Sequence, residues 1–234
     1  KGNIALITGA SQSHMSEILV YNKKGKLLYA RQNAELIAVD VAFSPNGKNL
    51  AVAGIAGQDG ALKSSVLVFD LESTSNMPVK EYSDTDVMLC SVEYFPSGTV
   101  IAIGDTAAWV MNPKGELFEK YNYAEDELMG FVVGDSAGGI VLRRYGNTDG
   151  GHLLVLNPSG DQAYSADFEG AFRHVSAAKD GFWLLTENKL MHGGSQGFDY
   201  DKDVASDGRL VSSLGDKAVV MGLTSLQDYS KEPS

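Results

Sequence analysis

Two kinds of turn signal alternate along the chain with a common period, and no other feature limits its folding as strongly. The first is an Asn or Asp after a short β-rich run, with Gly three residues on in the clearest copies: Asn22 to Gly25, Asn112 to Gly115 and Asn157 to Gly160. Asp70 and Asp199 are weaker copies, and from Asn22 through Asp70, Asn112 and Asn157 to Asp199 the intervals are 48, 42, 45 and 42 residues. The second signal falls between these, in Ser44-Pro45-Asn46-Gly47-Lys48, Phe95-Pro96-Ser97-Gly98, Ser136-Ala137-Gly138, Lys179-Asp180-Gly181 and Leu214-Gly215-Asp216. Gly accepts positive φ, Pro presets φ, and Asn or Asp caps its own backbone, so each copy has a mechanism as a turn.

Runs of four to eight residues rich in β-branched and aromatic side chains lie between the turns, among them Ile37 to Phe43, Leu50 to Ala53, Ser65 to Phe69, Val100 to Ile103 and Phe182 to Leu185. Val66-Leu67-Val68-Phe69 is apolar throughout, as expected of a strand covered on both faces. No window carries a capped 3.6-residue periodicity. About four short strands every 40 to 50 residues predict an all-β chain built as a β-propeller. The expected blades run over 36–82, 87–122, 128–167 and 171–201, with partial blades at 3–31 and 208–222. Joining the two partial blades gives a single domain over 1–222 with about five blades, or six or more in a longer parent chain. Residues 223–234 read as a polar tail.

The Ser-Pro-Asn-Gly-Lys turn leading to Leu50-Ala51-Val52-Ala53, followed by Val66-Leu67-Val68-Phe69-Asp70, resembles a blade of the WD-repeat and lactonase-like propeller superfamily. Tyr21-Asn22-Lys23-Lys24-Gly25-Lys26-Leu27-Leu28 is similar to uncharacterised bacterial propeller-like proteins of unknown function, often carried on an N-terminal membrane anchor. The resemblance implies a fold and specifies no activity. The Trp-Asp pair of WD repeats is absent.

Charge narrows the partners. Nineteen Lys and Arg against 30 Asp and Glu leave a net charge of -11, which repels a polyphosphate backbone, so nucleic acid is not expected. A lone Cys90 excludes an intrachain disulfide and a multi-cysteine metal site. No apolar run approaches the roughly 18 residues of a membrane-spanning helix. The chain opens at Lys1 without Met, which reads as a trimmed product whose upstream part carries a membrane anchor, with the domain extracytoplasmic or at the cell surface.

Several motifs imitate catalytic ones. Ile4-Ala5-Leu6-Ile7-Thr8-Gly9-Ala10-Ser11 resembles the opening of a short-chain dehydrogenase, but Ser13 and Met15 stand where the phosphate-binding glycines are needed, and no Tyr-x-x-x-Lys pair exists. Gly134-Asp135-Ser136-Ala137-Gly138 fits Gly-x-Ser-x-Gly, yet a nucleophile elbow leads into a helix, whereas Ile140-Val141-Leu142 starts a strand. His14, His152, His174 and His192 have no short ligand spacing. Trp109 and Trp183 read as core residues, and Arg143, Arg144 and Arg173 as surface cations or a small anion site. Asp199, Asp201 and Asp203 alternate as in a calcium loop, so Ca²⁺ is a candidate ligand there. Val204 and Leu210 nonetheless replace the Gly and Glu of the EF-hand type.

The connections between blades share one rim with the loops joining second and third strands. They collect Glu35, Asp84, Asp86, Glu125, Asp126, Glu127, Asp167, Glu169, Asp201, Asp203 and Asp207, eleven carboxylates opposed by Arg31 and Lys202. This rim is the expected binding face: a noncatalytic interaction module offering acids to a protein, a surface polymer or a cation. The alternative is a propeller enzyme of lactonase or hydrolase type, using a metal or channel carboxylates. First-strand Asp40 and Glu93 are the candidates for that role.

Overall fold

The computed structural model describes residues 2–230 apart from 59, 74, 76, 206 and 216. The turn at Leu214-Gly215-Asp216 lies partly outside the described residues. Among the described residues there are 22 strands and no helix. The strands fall into two compact units, Lys1–Asn122 and Tyr123–Ser234.

The first unit opens with a three-stranded sheet of β1 (Ile4–Thr8), β2 (Ser16–Tyr21) and β3 (Leu27–Asn33). Two four-stranded antiparallel meanders follow: β4 (Leu36–Phe43), β5 (Asn49–Gln58), β6 (Ala61–Asp70) and β7 (Lys80–Asp84), then β8 (Leu89–Tyr94), β9 (Val100–Gly104), β10 (Ala107–Met111) and β11 (Leu117–Asn122). In the second unit the first meander is β12 (Asp126–Val133), β13 (Gly138–Arg144), β14 (Gly151–Leu156) and β15 (Gln162–Phe168). The next is β16 (Phe172–Ala178), β17 (Gly181–Thr186), β18 (Lys189–Gly194) and β19 (Gly197–Asp203). A three-stranded sheet of β20 (Leu210–Leu214), β21 (Lys217–Met221) and β22 (Leu226–Ser230) completes it.

The expected partial blades at 3–31 and 208–222 are each a three-stranded sheet, β1 to β3 and β20 to β22. One expectation needs correction. The segment after residue 222 is not wholly a tail: Leu226–Ser230 pairs in register with β21, and Tyr229 is buried against Val211, Ala218 and Val220. Composition concealed this strand because its other side chains face solvent, a pattern that a polar tail shares.

The middle strands are covered on both faces. On β5, Leu50 and Val52 enter a core with Ile18, Val20 and Phe69, while Ala51 and Ala53 enter another with Val92, Val100 and Trp109. On β17, Phe182 and Leu184 pack with Leu153 and Val155, and Trp183 and Leu185 with Val211 and Ala218. Each strand thus joins two cores, which explains the uninterrupted apolar runs. Trp109, fully buried, meets the ring of Tyr82 edge-on at 4.9 Å between centroids.

In the first turn series, Asn112 and Asn157 close the hairpins between third and fourth strands of their sheets and Asn22 that between β2 and β3, whereas Asp199 lies inside β19. At Asn112 the side-chain Oδ1 accepts from Lys114 N at 2.9 Å and Glu116 N at 3.1 Å, and Gly115 N donates to the Asn112 carbonyl at 2.7 Å. Asn22 and Asn157 repeat these three bonds. The second series closes hairpins between first and second strands, as where Gly47 N reaches the Ser44 carbonyl and Gly98 N the Phe95 carbonyl.

Register shifts recur at matched depth in the first strands. Val39, Cys90, Met129 and Arg173 are each passed over in the ladder to the second strand, a β-bulge in β4, β8, β12 and β16. The residue after the bulge is re-aimed sideways. Asp40 Oδ2 accepts from Ser91 Oγ at 2.6 Å and Val92 N at 3.0 Å, strapping β4 to β8. His174 Nδ1 stands 3.1 Å from the Val211 carbonyl oxygen, placing it against β20.

Asn112→Ala removes the acceptor of two backbone N–H groups and should lower unfolding free energy by about 1 kcal/mol in urea titration. Asp40→Ala leaves Ser91 and the Val92 amide without an acceptor, and a loss of about 2 kcal/mol is expected, with Asp40→Asn intermediate.

Candidate functional site

The decoy motifs dissolve in the structure. Ile4–Thr8 leads by a loop into an antiparallel partner, not a helix. Gly134 N donates to the Ala137 carbonyl at 2.9 Å, so Ser136 lies in a hairpin turn, and among the described residues its Oγ has no hydrogen-bond partner to serve as base. Of the arginines, Arg143 binds Glu127 and Arg173 stands 3.7 Å from Glu187.

The three aspartates proposed for Ca²⁺ occupy the extended strand β19, where Asp199 to Asp203 span roughly 13 Å. Asp199 is itself a bulged residue, skipped where His192 pairs with Tyr200 and Gly193 with Phe198. Its Oδ1 lies 2.6 Å from Nδ1 of the buried His192. The imidazole's other nitrogen is at ion-pair distance, 3.1 Å, from Asp180 Oδ1. Asp201 accepts from Lys189 Nζ at 2.9 Å, and Asp203 faces Lys189 in register. Among the described residues no three His, Cys, Asp or Glu side chains converge to hold a metal ion.

Of the channel candidates, Asp40 has both oxygens engaged, Oδ1 by Val41 N and Oδ2 in the strap to β8. Glu93 titrates above the ordinary carboxylate range because of desolvation, reinforced by the Asp40 charge. The same two causes raise the Cys90 thiol.

The rim acids are more fully paired than their sequence positions imply. In the first unit Asp84 Oδ2 accepts from Lys120 Nζ at 2.8 Å, and Asp86 N donates to Asp84 Oδ1. Glu35 is exposed between β3 and β4. In the second unit Glu127 binds Arg143 at 2.7 Å, Asp126 faces Arg144 in register, and Asp207 accepts from Ser225 Oγ. Glu125 is exposed just before β12. Asp167 binds His152 Nδ1 at 2.8 Å. The two rim cations recognised from sequence are engaged otherwise, Arg31 over the Phe69 ring and Lys202 over that of Tyr229. Their places are taken by Arg143, Arg144 and Lys189, which cross-strand register brings in, and by Lys120, which reaches Asp84 from the neighbouring sheet; these long-range pairings were the missing signal.

Two adjoining cavities open on the rim of the second unit. One, of about 480 Å³, is lined by Asp126, Arg144, Asn147, Asp149, Gly150, Gly151, His152, Asp167 and Phe168. The other, of about 370 Å³, shares Asp167 and Phe168 and adds Glu169, Lys189, Met191, Phe198 and Asp201. The loop over 145–150 shapes the first, since a Cβ at Gly150 would fall 2.7 Å from the Phe168 carbonyl and one at Gly151 2.4 Å from the Phe168 ring. Bare backbone therefore lies directly on Phe168, which is buried beneath it. Together the walls carry the carboxylates of Asp126, Asp149, Asp167, Glu169 and Asp201 against the cations Arg144 and Lys189. Asp167 is 90% exposed, so its charge faces solvent while His152 fixes its position. Asp149 and His152 were not foreseen as members of this site, because the length of the loop before β14 is not written in the turn signals.

These sheets define the class of the protein: an all-β chain of the propeller type. Among solved structures it is similar to the C-terminal WD40 domain of Sif2, with a TM-score of 0.51 and 12% identity over 96% of this chain and 77% of that one. It is also similar to a eukaryotic initiation factor, with a TM-score of 0.57 and 8% identity over 86% of this chain and 52% of that one. At such identities the likeness shows the fold alone. Comparison with curated proteins gives no match. Residues 1–207 match DUF5711, a family of unknown function, and the chain belongs to that family.

The Lys120 hydrogen bond, ahead of the backbone bonds from Asp86 and Thr85, holds the Asp84 carboxyl below its ordinary value of 3.8. Its stabilising contribution is complete above that value and is lost as pH falls through the lower folded-state value. Lys120→Met should flatten this acid limb of the stability profile, as measured by urea midpoints between roughly pH 5 and pH 2.

Proposed function

We propose that the chain is a noncatalytic binding module whose acidic rim, in the second unit, takes a cationic segment of a partner protein. The observation that carries this reading is the pair of adjoining cavities, whose five carboxylates outnumber their two cations. Like charges clustered on one face focus the local field and raise the concentration of cations there. Arg144 and Lys189 hold the acids apart and favour an occupant with spaced charges over a single ion. The same charge balance disfavours nucleic acid.

A lysine-rich peptide titrated into the protein at roughly 50 and 300 mM salt should bind more weakly at the higher salt by an order of magnitude. The paired substitutions Asp167→Asn and Glu169→Gln should reduce affinity about tenfold at low salt without moving the unfolding midpoint. Affinity indifferent to salt, or preference for a glutamate-rich peptide, would overturn the reading.

A further inference from the structure

A cavity of about 390 Å³ in the first unit has the opposite chemistry. It lies at the ends of two neighbouring sheets, among hairpin turns that place Pro45, Pro96 and Pro113 in its walls. Lys80 and Lys114 line it and no Asp or Glu does, an inversion in a chain whose net charge is -11. Neither ammonium forms an ion pair among the described residues. The volume is that of a small-molecule site.

The walls are fixed in place. Gly115 has φ +75°, and a Cβ there would fall 2.5 Å from Lys80 Cγ, so the lysine stem rests on bare glycine backbone. The Asn112 turn, with its three hydrogen bonds, carries Pro113 and Lys114. Tyr94 is half-buried beside them, its hydroxyl pushed up to about 12 by burial, so it remains a neutral hydrogen-bonding group at pH 7. Glu116 stands just outside the cavity. Asn112 Nδ2 donates to its carboxylate at 3.0 Å, and that bond, followed by the charges of Lys114 and Lys80, lowers its pKa. Glu116 is therefore the internal competitor for the two ammonium groups.

We propose that this groove binds a small organic anion, a phosphate or carboxylate attached to a flat ring, with the charge at Lys80 and Lys114 and the ring against Tyr94 and the prolines. Pyrrolidine and phenol surfaces give a ring apolar contact at little cost in side-chain entropy, because neither has much rotamer freedom to lose. Lysines suit the charge because they bind phosphate and carboxylate as point charges without demanding bidentate geometry. The site is independent of the cation-binding rim in the second unit.

Titration of the whole chain with phenyl phosphate, phthalate and benzyl alcohol, followed by amide chemical shifts, tests the proposal. Both anions should move resonances of the turns at Pro45, Pro96 and Pro113, and the neutral alcohol should not. The tighter of the two distinguishes a phosphorylated ligand from a carboxylated one. Lys80→Gln and Lys114→Gln should each weaken anion binding about five- to tenfold with an unchanged unfolding midpoint, while Glu116→Gln should tighten it. Equal response to benzyl alcohol, no response to either anion, or full affinity in the double lysine variant would overturn it.

Discussion

A strand that is apolar on both faces can be satisfied only between two other layers, and this constraint organises both units. Leu50 and Val52 point one way from β5 while Ala51 and Ala53 point the other, so the sheet that owns them needs a neighbour on each side. Phe182 to Leu185 impose the same on β17. Small residues on one face of β5 and large ones on the other set how closely each neighbouring sheet approaches. The hairpins and the first-strand straps arrange sheets that are already bound to stack.

What could be read from sequence was local. Asn112 and Gly115 predict their hairpin because the bonds that close it join residues within four positions of one another. The four full sheets follow from that punctuation together with the apolar runs. Asp199 shows where such a reading fails: it has the spacing of a turn residue but sits inside β19, where a bulge turns it toward His192. Depth in the ladder, not the identity of the side chain, decided its role. Tyr229 marks the other kind of failure, since one buried ring among exposed neighbours is enough to anchor a strand that composition alone would leave as a tail.

The candidate site was legible as a charge excess and not as a shape. Glu125, Asp126, Glu127, Asp167 and Glu169 identify the rim by position, but its geometry depends on partners supplied from the facing strand. Arg143 opposite Glu127 and His152 opposite Asp167 are such partners. Long-range register is the quantity that a single sequence does not reveal. With these partners in place, an expanse of repelling acids becomes fixed carboxylates spaced by cations, with Phe168 beneath them. The basic groove of the first unit escaped notice for a related reason, since its two lysines belong to different sheets.

The bulges at Val39, Cys90, Met129 and Arg173 bear on dynamics as well. Each leaves one peptide unit out of an otherwise continuous ladder, so each of these first strands is two short protected segments joined by a link that solvent can reach more readily. Local opening can begin in the interior of these strands as well as fray from their ends. The residues flanking those links include Asp40 and His174, the same ones that tie a strand to the neighbouring sheet. Isotope exchange along a first strand would therefore report how firmly two sheets are held together.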